Sequence, residues 1–150
     1  GIEGCWRFVQ RLWRLTSQIS GAEGADKALD RKTHQIIAGV GADIEALAFN
    51  KAVAKIYDLA NAIEKAAPSA SRDSAIRTIL LLSSPMVPHL AEEAWTQLGA
   101  DMSGGLIADA AWPAVDREAY ACVQTMEELE QWIARAFAAR GFTLPWWRPA

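Results

Sequence analysis

The sequence predicts an all-α protein: an antiparallel bundle of about five helices, with an extra helix near the C-terminus. Apolar residues recur at steps of three and four along most of the chain, a spacing that places them on one face of a helix. No segment shows the sustained apolar–polar alternation with β-branched residues that is typical of strands. With 150 residues, 51% of them hydrophobic, the chain is long enough to bury a core between such helices.

The first predicted helix runs from about Ile2 to Ile19, and a small-residue break at Gly21 to Gly24 follows it. Its apolar seam consists of Ile2, Cys5, Val9, Leu12, Leu15 and Ile19. A second helix is predicted from about Asp26, a good N-cap residue, to about Leu47. Its inward positions are Thr33, Ile37, Val40, Ile44 and Leu47.

The third helix is predicted over about 50–67, and Pro68 ends it. Its apolar seam consists of Phe49, Val53, Ile56, Ala60 and Ile63. Ser71 is the expected N-cap of the fourth helix. Pro85 and Pro88 interrupt the helical pattern because proline lacks an N–H group, and a fifth helix is predicted over about 88–98.

The character of the chain changes after Gly99. Residues 101–111 are rich in Gly, Ser, Asp and Ala, which indicates a loop, and an extended Trp112-Pro113 pair follows. A last helix is predicted over 125–139, before an aromatic and proline-rich end. We therefore expect a helical bundle over 1–116 and a divergent helix and Trp-rich tail over 117–150.

Composition narrows the possible functions. The net charge of −3 and the pI near 5.4 mean that a nucleic-acid site has to be a local basic patch. Cys5 and Cys122 are too few and too far apart for a disulfide framework, which favours a reducing, cytoplasmic location. Two histidines and two cysteines provide little for a metal site. No apolar run approaches the length of a membrane span.

Catalytic motifs are not evident in the sequence. There is no glycine-rich phosphate loop after a strand and no pair of helical histidines around a glutamate. His89 precedes Glu92 and Glu93, so an acid–base pair is one hypothesis. The alternative, which we favour, is that all three lie in the first turns of a helix, where acidic groups stabilise the positive end.

A basic stripe on the first helix is the strongest local signal for binding. Arg7, Arg11 and Arg14 share one helical face, where guanidinium groups are suited to grip phosphates. Lys51 and Lys55 form a shorter basic pair on the third helix. Three aromatic residues interleave with the arginines: Trp6, Phe8 and Trp13. They are candidates for stacking on bases, and the alternative is a solvated charged face with aromatics packed in the core.

Four blocks of sequence resemble the anticodon-binding domain of leucyl-tRNA synthetases. They are GCWRFVQRLWRL at 4–15, FNKAVA at 49–54, LLLSSPMVPHLAEEAW at 80–95 and LIADAAWP at 106–113. Their order and spacing hold over about 1–116. After about Asp116 the chain departs from the family pattern.

This resemblance implies that the chain is a fragment of an ATP-dependent class I ligase that joins leucine to its tRNA. Catalysis in that family belongs to a separate nucleotide-binding domain, so we expect no catalytic residue and no cofactor in this chain, with ATP bound by the parent enzyme. The expected partners are tRNA and that catalytic domain, without a membrane or a metal. Arg7, Arg11 and Arg14 match the family's basic first helix and are the expected tRNA contacts, with Lys51 and Lys55 second.

Two alternatives stay open. The valyl-, isoleucyl- and methionyl-tRNA synthetases share a similar bundle and a looser form of the proline-histidine-leucine motif. A protein-interaction or oligomerisation module is the second alternative, because exposed tryptophans between Trp132 and Trp147 would form a contact surface.

Overall fold

The computed structural model describes residues 2–99 and 105–120. Its helices are α1 (Ile2–Thr16), α2 (Lys27–Glu45), α3 (Phe49–Lys65), α4 (Ala70–Ser83), α5 (Pro88–Gln97) and the short α6 (Arg117–Tyr120), with a 3-10 turn at Ile107–Asp109. No strand occurs among these described residues, so the all-α prediction is confirmed. The helix predicted over 125–139 and the Trp-rich tail lie outside them.

Helices α2 and α3 form an antiparallel pair. A three-residue connection joins them at 46–48, and the start of α2 at Asp26 and Leu29 lines the same groove as the end of α3 at Lys65. At the other end, Asp43 of α2 pairs with Lys55 of α3. Four-residue connections, at 66–69 and 84–87, lead into α4 and α5.

The core lies where α1, α2, α3 and α4 meet. Its fully buried side chains of largest volume are Leu12, Leu15, Val40, Ile56, Leu59, Ile63, Ile76, Ile79 and Leu82. A smaller cluster joins α4 to α5 and the 3-10 turn through Leu80, Ala91, Ala94 and Ile107, with Trp13 and Trp95 packed against it. The seams predicted for the first three helices supply five of the large core side chains: Leu12, Leu15, Val40, Ile56 and Ile63.

Two adjacent charged residues at the start of α4 are buried and fasten the ten-residue α1–α2 loop to the bundle. The Asp73 carboxylate accepts hydrogen bonds from the backbone N–H groups of Ser20 and Gly21 at 2.8–3.2 Å. The Arg72 guanidinium donates to the carbonyl oxygens of Ile63 and Gln18 and to the Gln18 side chain. Each charge is therefore satisfied by several polar partners, which its burial requires.

Several local predictions were wrong. Three residues predicted to lie in apolar seams are exposed: Ile2, Cys5 and Phe49. The N-cap of α4 is Ser69, whose side chain accepts from the Arg72 N–H, whereas Ser71 donates to Asp30 in α2. Leu47 is 78% exposed because α2 ends at Glu45. The first helix ends at Thr16 instead of continuing to about residue 19.

Candidate nucleic-acid interface

The arginine stripe lies where α1 runs beside α3 in the same direction. Phe8 stacks on Tyr57, with ring centroids 3.6 Å apart, and Arg11 contacts Glu64 further along both helices. Because residues four and three apart share a helical face, Arg7, Arg11 and Arg14 follow this seam as predicted. Their environments, however, differ strongly.

Arg11 is the most enclosed of the three. Its Nε and Nη2 donate to the two carboxylate oxygens of Glu64, each at 2.8 Å, and Nη2 also donates to Asn61 Oδ1 at 2.7 Å. Only 18% of its side chain is exposed. This forked geometry is the arrangement that an arginine uses to bind a phosphate, and here Glu64 occupies it.

Arg7 and Arg14 remain accessible on either side of Arg11. The Arg14 side chain is 64% exposed and approaches Glu64 through Nη2 alone, at 3.3 Å. The Arg7 side chain is 75% exposed, and its ion pair with Glu3 is long, at 3.7 Å. Exposed pairs of this kind are weak and screened by salt, so neither arginine is firmly held.

Glu64 is the acidic residue that contacts both Arg11 and Arg14 of the stripe. The hydrogen bond from Arg11 lowers its pKa most; the charges of Arg11 and Arg14 act in the same direction, and partial burial opposes them. Glu64 is therefore ionised at neutral pH. The cluster of two guanidinium groups and one carboxylate carries a net charge of about +1.

The two lysines predicted as secondary contacts separate in the structure. Lys51 is exposed in the first turn of α3. Lys55 turns towards α2 and forms an ion pair with Asp43. Gly39 provides the space for this, because a Cβ atom at that position would lie 2.7 Å from Lys55 Cε.

The aromatic residues near the stripe are also divided. Trp6 is exposed. Phe8 packs against the main core and stacks on Tyr57, and Trp13 is half-buried against the smaller cluster. Of the three, Trp6 is the one whose position allows contact with an external base.

Glu64 and Asn61 were missed by sequence reasoning. They stand three residues apart on the face of α3 that is turned towards α1, so the spacing was visible in the sequence. Glu64 can be recognised as a partner of Arg11 only when it is known that α3 lies beside α1, with residue 64 level with residue 11. That pairing follows from tertiary packing of two helices separated by more than 30 residues of chain.

Of the residues considered for catalysis, Glu92 has a structural role. The Glu92 carboxylate accepts from the backbone N–H groups of Ile107 and Ala108, at 2.8 and 3.2 Å, and thereby fastens the 3-10 turn to α5. His89 lies exposed in the first turn of α5. Across residues 2–99 and 105–120, no group of three or more potential ligands could hold a metal ion.

The described helices also show no span that could cross a membrane. The described residues thus form an all-α bundle that carries a partly neutralised arginine stripe on its surface.

Comparison with known proteins identifies the family. The sequence model described as the anticodon-binding domain of tRNA ligase matches residues 26–140, more than half of the chain. The chain belongs to this family.

Curated relatives are leucine–tRNA ligases. The proteins from Rhizorhabdus wittichii and Novosphingobium aromaticivorans are each 66% identical, over 116 and 117 residues, and that from Zymomonas mobilis is 53% identical over 118 residues. Each alignment covers 77% of this chain and 13–14% of the relative. The chain thus spans about one seventh of the length of these relatives.

A solved structure supports the same relationship. It is the agnB2 LeuRS of Agrobacterium radiobacter K84 in a ternary complex with tRNA and LeuAMS, with a TM-score of 0.67 and 26% sequence identity. The superposition covers 77% of this chain and 16% of that one. The recognition of a leucyl-tRNA synthetase anticodon-binding domain is therefore confirmed, whereas the boundary at residue 116 and the individual contact residues stay predictions.

Proposed function

We propose that this chain binds leucine tRNA as the anticodon-binding domain of a leucyl-tRNA synthetase. The observation that carries the proposal is 66% identity to leucine–tRNA ligases over 77% of the chain. The similar LeuRS of Agrobacterium radiobacter K84 is in complex with tRNA. In this role the domain holds the body of the tRNA while the acceptor end reaches a distant active site.

The chemistry of leucylation belongs, in this proposal, to a catalytic domain outside the chain. The relatives are about seven times longer than the matched segment, which leaves ample length for such a domain. ATP and leucine are bound there, and this chain contributes binding energy and orientation. The cytoplasm is the proposed location, because that is where tRNA is charged for protein synthesis.

The proposed contacts are to phosphate and sugar. Arg7 and Arg14 are exposed on one helical face about 10 Å apart, as seven residues at 1.5 Å rise imply, and Lys51 is a third exposed cation. Contacts of this kind fix the position of a nucleic acid and carry little sequence information. Arg11 and Lys55 are paired with the carboxylates of Glu64 and Asp43, which largely neutralise their charge at this surface.

Binding should be measured by fluorescence anisotropy with labelled leucine tRNA, at several salt concentrations. We expect Arg7→Ala and Arg14→Ala each to weaken binding and to reduce the slope of log K against log salt by about 0.7–0.9, the loss of one phosphate contact. Lys65→Ala is the matched control, because Lys65 is an exposed cation of α3 that lines the groove towards α2. An equal effect of Lys65→Ala would refute the proposed interface.

The choice of leucine over related ligases is tested with valine, isoleucine and methionine tRNAs in the same assay. Tighter binding of leucine tRNA than of these three supports the proposed function. Tighter binding of another tRNA would assign the domain to that ligase, and equal binding of all four would contradict a preference for leucine tRNA.

A further inference from the structure

At the centre of the arginine stripe, a carboxylate neutralises part of the positive charge. Arg11 and Arg14 supply two guanidinium groups, and Glu64 between them supplies one carboxylate. The carboxylate accepts hydrogen bonds from both Nε and Nη2 of Arg11 and from Nη2 alone of Arg14. Asn61 accepts a further hydrogen bond from Arg11, so α3 provides a ready-made receptor for that guanidinium.

We propose that Glu64 is a specificity-determining residue of this domain, which keeps Arg11 away from RNA phosphates and thereby limits the binding of arbitrary polyanions. The inference rests on the proposed function, since it concerns the same surface. It goes further by assigning a role to an acidic residue of α3 that lies between two arginines of the stripe.

Glu64 first competes with RNA for Arg11. A carboxylate and a phosphate both offer paired oxygens to the same two N–H groups of an arginine. Arg11 cannot donate its Nε–Nη2 edge to a phosphate while Glu64 accepts from it at 2.8 Å on both oxygens. The side chain is also only 18% exposed, so a bound RNA meets Arg7 and Arg14 first.

The second effect of Glu64 is repulsion. Glu64 is ionised at neutral pH, as an ordinary glutamate is, and its arginine neighbours lower its pKa further. A phosphate bound to Arg14 stands close to this carboxylate, and like charges about 6 Å apart in water weaken binding about threefold. Removing the carboxylate charge removes this repulsion and releases Arg11 as an additional phosphate ligand.

The third effect of Glu64 is on selectivity. Phosphate contacts are available on every RNA, so a stripe of three free arginines would strengthen binding to any duplex. With Glu64 present, two separated arginines remain, and their partner has to place phosphates at both positions at once. A surface of moderate charge therefore discriminates by shape better than a strongly basic one.

The test uses the 150-residue chain, with labelled leucine tRNA and an arbitrary RNA duplex as probes. Glu64→Gln keeps the shape and a hydrogen-bond acceptor for Arg11, and Glu64→Ala removes both. We expect each variant to bind the duplex at least about threefold more tightly, to increase the salt slope by about 0.7–0.9, and to lower the ratio of leucine-tRNA to duplex affinity. In Glu64→Gln/Arg11→Ala the increase of the salt slope should disappear.

Glu45→Gln is the matched control, because it removes the same charge from a surface beside Trp112 and Pro85. If Glu64→Gln and Glu45→Gln change duplex binding equally, or if Glu64→Gln weakens it, the inference is overturned. A wild-type chain without preference for leucine tRNA, together with tighter duplex binding by Glu64→Gln, would sink the proposed function and support the role of Glu64. A clear preference for leucine tRNA that Glu64→Gln leaves unchanged would support the proposed function and overturn the role of Glu64.

Discussion

Replacing Arg72 by Met is expected to lower the free energy of unfolding by about 3 kcal/mol. Arg72 is 7% exposed, and three of its nitrogens donate hydrogen bonds, to Ile63 O and to the carbonyl and side-chain oxygens of Gln18. Methionine retains much of the apolar stem and leaves those acceptors without a donor. Each unsatisfied buried acceptor costs about 1–3 kcal/mol, and the guanidinium group no longer has to be desolvated, which offsets part of the loss.

The assay is urea denaturation followed by circular dichroism at 222 nm. The midpoint should fall while the slope stays constant, which indicates a change in stability with no change in the surface exposed. In thermal melts the same loss corresponds to roughly 6–12 °C for a chain of this size. Arg77→Met is the control, because Arg77 is a half-buried arginine of α4 whose side chain forms no hydrogen bond or ion pair among the described residues.

The control variant should change stability by less than about 0.5 kcal/mol. A loss below about 1 kcal/mol for Arg72→Met, or an equal loss for both variants, would show that water replaces the three hydrogen bonds. The reasoning that Arg72 fastens the bundle would then be wrong.

Three other substitutions probe the local geometry. Leu47→Gly should raise the free energy of unfolding by roughly 0.5 kcal/mol in urea titrations. Leu47 has φ +56°, and the strain of a leucine in this left-handed conformation is larger than the entropic cost of placing a glycine there. A loss of stability would refute this. Asp26→Ala should lower it by about 1 kcal/mol, because the Asp26 side chain accepts from two N–H groups at the start of α2; an unchanged urea midpoint would contradict it. The pKa of Glu64 is lowered in the folded state, so the ionised carboxylate stabilises the fold at pH values above its ordinary pKa of 4.5. This contribution is lost as the pH falls through the lower pKa of the folded state, so Glu64→Gln should flatten the acid side of the stability–pH profile relative to wild type. Parallel profiles for the two proteins would exclude this linkage.

Helix positions were predictable because the burial pattern is local. The spacing of Ile56 and Ile63 fixes the inward face of α3, and Asp26 marks the start of α2 through its own side chain. Leu47 was assigned to the core because helical periodicity alone does not show where a helix stops. The switch of N-cap from Ser71 to Ser69 has the same origin: both serines suit the cap, and the neighbouring α2 recruits Ser71 through Asp30.

The sequence predicted that the three arginines of the stripe share one face of α1. It did not predict which of them are exposed and which are paired. Arg7, Arg11 and Arg14 are equivalent in helical spacing, yet their exposed fractions are 75%, 18% and 64%. The difference arises from Glu64, which lies 50 residues beyond Arg14 in the sequence. Single-helix patterns reveal which side chains share a surface, and only the packing of a second helix reveals which of them are already paired.

The buried charges of α4 and the arginine stripe are physically connected. Gln18, which accepts from Arg72, is two residues beyond the end of α1, and Arg14 lies in the last turn of that helix. The same α4 residue therefore holds the end of α1 against the bundle and limits how far Arg14 moves relative to Glu64. A domain that binds phosphates by shape needs such rigidity, because two separated contacts discriminate between RNAs only when the distance between them is fixed.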